Sequence, residues 1–277
     1  MTDSLPAAST PAVPAQPPAG SPASTLLLFS WLSAAIFSLY IVIFYGGAAL
    51  LGTMERDWNE VLPRLYARAA TTANLMIGMH FVTGAAMLVL GPVQFMSGIR
   101  TRWPAAHRWS GRVYLACAAL AGVGGLAYLS LRDPVGGQVM ALGFGLYGVL
   151  MLLSCAQTLR HALARRMCEH RAWAIRLFTL GLGSWLYRME YGLWLNALDW
   201  PGHATGTFDG PFDLVMDFFY VPHLLVAEYV IRRRPALPGS VMKAAGAACA
   251  MLLAVVTWLF ASAYWLPHMR DQLARLA

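Results

Sequence analysis

The sequence predicts an all-α polytopic integral membrane bundle of seven transmembrane helices with a cytoplasmic N-terminus. Three observations predict it. Hydrophobic residues make up 58% of the 277-residue chain, charged residues only 12%, and mean hydropathy is +0.54; soluble domains carry about 25% charged residues. Seven apolar runs each reach the ~20 residues that a helix needs to cross a ~30 Å hydrocarbon core. Basic residues gather in alternate loops between those runs, the asymmetry that orients membrane proteins.

The elements follow in order. Residues 1–24 are rich in Pro, Ala and Ser. They lack the basic start and apolar core of a signal peptide and are expected to form a disordered tail. The transmembrane domain is expected over 25–266, followed by a short C-terminal tail, 267–277. Its spans are Thr25–Gly52, Thr72–Phe95, Gly111–Leu131, Gly137–Leu159, Ala172–Leu198, Phe212–Ile231 and Ala244–Leu266. Helix is the only conformation that satisfies the backbone of such runs in lipid.

Three loops hold the basic clusters: Arg100, Arg102, Arg108 and Arg112; Arg160, Arg165, Arg166 and Arg171; and Arg232, Arg233, Arg234 and Lys243. They lie on one side, read as the cytoplasmic side of a bacterial inner membrane. The net charge of +7 is therefore orientation information. It is not a nucleic-acid surface, which would interleave basic and aromatic residues on a soluble face. The cysteines, Cys117, Cys155, Cys168 and Cys249, form no CxxC pair and read as small buried apolar residues. The glycine-rich third to fifth spans are expected to let helix backbones approach closely.

Two stretches echo one another. Arg100 to Tyr114 reads RTRWPAAHRWSGRVY, and its His107-Arg108 pair is matched by His170-Arg171, again with a Trp and a further Arg nearby. Together with Gly91-Pro92-Val93-Gln94-Phe95, Trp103-Pro104 and Trp173-x-x-Arg176-x-Phe178, these motifs resemble a bacterial membrane-protein family, domain of unknown function 2306, over Thr72 to Ile231. The resemblance implies the multi-helix membrane fold and directs attention to the His and Arg positions. It brings no reaction with it.

Ionisable groups inside a bilayer are costly and so are functional candidates. His80 enters its span by about eight residues and His223 by about eleven, ~12 Å and ~17 Å below the outer surface at helical rise. His107 and His170 open two spans that run in the same direction from the inner side. Two His pairs, one towards each face, suit haem b held by paired imidazoles and electron transfer across the membrane, with a quinone or another membrane carrier as partner. Arg108, Arg112 and Arg176, with Arg100 and Arg102, would then neutralise propionates. Against this, di-haem cytochromes of the b561 type place histidines on four successive helices, and the fourth span here has none in its interior.

A second constellation comprises Arg188, Glu190, Asp213 and Asp217. Asp213 and Asp217 lie one turn apart and share a face, and an Arg188–Asp217 pair would offset the burial of both. With His80, His223 and the kink-prone Pro222, this set supports a second reading, a proton-coupled small-molecule transporter. A third reading is a membrane scaffold subunit. No nucleotide fingerprint, zincin motif or nucleophile elbow appears, so no catalytic residue is assigned.

Overall fold

The computed structural model describes residues 22–197, 201–232 and 239–277, and among these every regular element is helical. Most of the tail expected over 1–24 lies outside the described residues; helix begins at Pro22.

The first rod comprises α1 (Pro22–Tyr40), a π-helical segment (Ile41–Gly46) and α2 (Gly47–Leu51). It stops at Gly52, whose φ of +70° only glycine adopts without strain. The short amphipathic α3 (Met54–Val61) follows. Then come α4 (Thr71–Phe95), α5 (Ser97–Arg102), α6 (Pro104–Leu131), α7 (Gly137–Leu163) and α8 (Met167–Ala197). The next rod is split into α9 (Pro211–Met216) and α10 (Tyr220–Arg232). The last comprises α11 (Gly239–Phe260), a second π-helical segment (Ala261–Trp265) and α12 (Leu266–Leu276). Residues 267–277, read above as a short tail, thus continue the last rod almost to the C-terminus.

Among the described residues, six rods are long and apolar enough to cross a membrane: Thr25–Leu51, Thr71–Phe95, Pro104–Leu131, Gly137–Leu163, Pro211–Arg232 and Lys243–Leu276. The remaining expected span, Ala172–Leu198, falls on α8. That helix has 31 residues, ample length at ~1.5 Å per residue, but it carries Arg171, Arg176, Arg188 and Glu190 and is too polar to count with the six. Its position explains its composition. α8 packs against α1, α4, α7, α10 and α11, so it faces protein on most sides, where polar side chains find partners.

Helices in lipid associate by close fit rather than by a hydrophobic driving force, and the fit around α8 is specific. Tyr114 of α6 and Tyr147 of α7 donate to the backbone carbonyls of Leu177 and Leu180. Both hydroxyls pass over glycines: a Cβ would sit 2.7 Å from the Tyr114 oxygen at Gly181 and 2.9 Å from the Tyr147 oxygen at Gly183. Ser33 joins three rods, bonding Thr257 at 2.6 Å and accepting the Trp185 indole N–H at 3.1 Å. The cysteines divide: Cys155 is buried, whereas Cys168 and Cys249 are exposed, so the expectation that all four are buried does not hold for those two.

Candidate functional site: a broken helix beside a caged guanidinium

The α9–α10 rod is interrupted at Asp217–Phe219. Pro222 explains the break. It lacks the N–H that would bond the Phe218 carbonyl one turn earlier, and its ring crowds that carbonyl. The chain tightens instead, with Phe218 N–H bonded to Val215 O and Phe219 N–H to Met216 O, both at 3.1 Å.

Asp217 stands at the break with a fully buried side chain, and neither carboxyl oxygen has a hydrogen-bond partner among the described residues. The Tyr220 hydroxyl and the His223 Nδ1 atom are also buried without partners. The other His223 nitrogen, Nε2, lies 2.7 Å from Glu190 Oε1 on α8. Buried polar groups are almost always paired, so two unpartnered side chains and one unpartnered imidazole nitrogen within two turns mark a place built for more than packing.

Asp213, one turn earlier, has the opposite fate. One oxygen accepts from the Tyr191 hydroxyl and from His203 Nδ1 at 2.7 Å. The other accepts the backbone N–H groups of Ala204 at 2.8 Å and Gly210 at 2.9 Å. Asp213 therefore pins the 201–210 loop across the start of α9. From sequence, Asp213 and Asp217 share a face; the structure makes Asp213 an anchor and leaves the Asp217 carboxyl unengaged. The signal was present in Gly210-Pro211-x-Asp213, proline at the first helical position and an acid at the third.

Arg188 does not pair with Asp217. Its guanidinium bonds the Ser184 carbonyl at 3.1 Å and lies 5.2 Å from the centre of the Phe37 ring. Among the described residues no carboxylate lies within ion-pair distance of it. Tyr45 meets it through a side-chain hydrogen bond, and Tyr40, Tyr147, Tyr187 and Tyr264 lie within reach of its charge. Tyr187 lies within reach of the Asp217 charge as well. The sequence reading missed Tyr40, Tyr45 and Tyr264, which lie on or beside the two π-helical segments.

His80 and His223 are held by different neighbours. His80 donates through Nδ1 to the Ala121 carbonyl of α6 at 2.8 Å, with its ring laid against Gly125. Nε2 of His223 faces Glu190. The described contacts thus give the two imidazoles separate neighbours rather than a shared one. On the inner side His107 lies within reach of the charge of His170, whose Nδ1 atom bonds the Thr158 carbonyl at 3.0 Å. Arg176 is bound to Glu228 at 2.7 Å, and Arg232 joins the same carboxylate. Arg112 lies 4.8 Å from its own helix's Trp109 ring, and Arg108 is exposed. The arginines thus take part in local pairs or lie at the surface. Among the described residues no group of three or more His, Cys, Asp or Glu could hold a metal ion.

Two cavities lie among the described residues. A largely apolar groove of 730 Å³ is lined by Glu190, Trp194, Met216, Phe219 and Pro222, among others. A smaller polar cavity of 190 Å³ lies between α3 and α12, where Asp57, Glu60, His268, Gln272 and Arg275 meet. Asp57 is buried there. Burial works to raise its pKa, but bonds from Arg56 and Thr53 and the charges of Arg56 and Arg275 outweigh it and hold the carboxyl below its usual range. His268 bonds the Tyr264 carbonyl at 2.7 Å.

No curated protein and no solved structure matches the chain. A family model described as "Predicted membrane protein (DUF2306)" matches residues 77–231, more than half of the chain, from the second turn of α4 to the last turn of α10. On that match, the chain belongs to the DUF2306 family of membrane proteins.

Proposed function

We propose that the protein is a proton-coupled small-molecule transporter of the bacterial inner membrane, with seven spans, α8 the central one, and a cytoplasmic N-terminus. The observation that carries this reading is the break at Asp217. Transporters bind substrates and coupling ions near discontinuous membrane helices, where the chain lines a cavity instead of facing lipid. The break here seats the Asp217 carbonyl against Gly143 of α7 and leaves the buried Asp217 carboxyl without a hydrogen-bond partner among the described residues. A buried carboxylate without a donor is costly, so Asp217 calls for a proton or a cation at some stage of a cycle. Glu190 and His223 offer a neighbouring pair that can pass one.

The test is uptake under an imposed pH gradient. Purified full-length protein in proteoliposomes is offered a mixture of short carboxylates, amines, amino acids and sugars, and the lumenal solutes are measured by mass spectrometry. Gradient-dependent accumulation of one class, absent from protein-free liposomes, is the expected result. Equal lumenal content in both preparations, with folded protein present, would refute transport.

A further inference from the structure

Glu190 is a carboxylate at membrane depth. α8 has 31 residues, so at ~1.5 Å per residue it reaches about 46 Å, the thickness of a bilayer with its headgroups. Glu190 lies seven residues before its last residue, Ala197, about 10 Å inward and so within the hydrocarbon. A charge placed there is costly and calls for a partner. Its carboxylate is met on one side only. Oε1 lies 2.7 Å from Nε2 of His223, and among the described residues no other side-chain hydrogen bond or ion pair reaches the group. The side chain stays 39% exposed, and Glu190 lines the 730 Å³ groove.

The rest of that groove is apolar and largely aromatic. Glu190 and Trp194 lie one turn apart on α8 and share a face. Phe212 of α9 stacks flat on the Trp194 indole, with ring centres 4.5 Å apart and planes 3° from parallel. The indole N–H is held by the Pro201 carbonyl at 2.9 Å. Phe218 and Phe219, at the break, supply two more rings. Among the described lining residues Glu190 alone is charged. Two other lining residues, Leu193 and Val215, are 39% and 70% exposed. Apolar side chains on the outside of a membrane rod face hydrocarbon, so the groove opens towards the membrane interior.

We infer that this groove binds a lipophilic organic cation, with Glu190 as its counter-ion and Trp194 as its aromatic wall. The inference rests on the transport reading and names its substrate class. A mouth facing hydrocarbon selects an apolar body that arrives through the bilayer. A carboxylate in the wall selects positive charge and rejects an anion. Aromatic faces attract the same cation when it comes within about 6 Å of a ring centre. A sugar or an amino acid would leave most of its polar groups unpaired against these walls. Depth separates the occupant from a lipid: an ammonium headgroup rides at the interface, and Glu190 lies about 10 Å down the helix.

The probe is tetraphenylphosphonium, a cation that does not titrate. Its binding is measured by equilibrium dialysis of the full chain in nonionic micelles against protein-free micelles. Saturable binding is expected, and tetraphenylborate, an anion of the same shape, should compete about tenfold less well or worse. Glu190→Gln, which keeps the shape of the side chain, is expected to lower affinity about tenfold or more. Trp194→Leu, which keeps the wall apolar and removes its aromatic face, is expected to lower it about fivefold. It decides the matter if Glu190→Gln does not fold. Equal affinity of the wild type and either variant, or equal competition by tetraphenylborate, would overturn the assignment. Phosphatidylethanolamine that displaces the probe as well as unlabelled tetraphenylphosphonium does would give the groove to lipid and overturn it too. Because binding is read without a gradient, the two proposals fail separately. Probe binding without uptake of any solute removes the transport reading, and uptake of another class without probe binding removes this one.

Discussion

Gly143 of α7 and Asp217 of the broken helix touch through their backbones: a Cβ on Gly143 would stand 2.3 Å from the Asp217 carbonyl oxygen. The break is thus seated directly on the α7 backbone at Gly143, so the Asp217 carbonyl packs against protein.

That contact predicts an overpacking effect. Gly143→Val must displace backbone and is expected to destabilise the protein by about 1–3 kcal/mol. Gly145→Val, where a Cβ meets nothing within 4 Å, is the control and should melt like the wild type in the same detergent.

Pro222→Ala should separate stability from function. Alanine restores the N–H that proline lacks, and an interior proline costs a helix about 3 kcal/mol. The variant is expected to melt no lower than wild type while uptake falls at least tenfold. Unchanged uptake would show that the break has no part in transport.

Asp213→Ala leaves two backbone N–H groups, a tyrosine hydroxyl and an imidazole without their shared acceptor. Each buried group left unsatisfied costs about 1–3 kcal/mol. The loss should appear as faster hydrogen exchange over 201–213, with exchange in α4 and α6 unaltered.

Acid sensitivity should map in part to Asp57. Its carboxyl is held below the usual range, so the folded state binds the proton less readily than the unfolded chain. The stability this contributes is fully present above the unfolded pKa of about 3.9 and is lost as pH falls through the lower folded value. Asp57→Asn is expected to lower the melting temperature at neutral pH and to flatten its decline below pH ~4. An acid limb identical to that of wild type would contradict this.

The sequence made the membrane rods legible because length and hydropathy are local properties. α8 was legible in length but fails on apolarity, since its neighbours, not its own residues, decide what it faces. Pro222 announced a loosened helix, and the break three to five residues earlier follows from its missing N–H. The tyrosine cage was not legible. Tyr40 and Tyr264 come from opposite ends of the chain, and nothing in the pattern around Tyr45 signals a π-helical turn. The expected Arg188–Asp217 pair failed for the same reason: sharing a depth does not fix rotation about the helix axis, and Arg188 turns towards Phe37 while Asp217 turns towards Gly143.

The central claim is that Asp217 carries the proton. Lumenal pH, followed with an enclosed dye in proteoliposomes of wild type and Asp217→Asn, tests it most directly, on addition of a solute that the wild type accumulates. Solute-dependent acidification with the wild type, reduced at least tenfold in Asp217→Asn while solute binding persists, is the predicted result. Equal acidification by both proteins would contradict it.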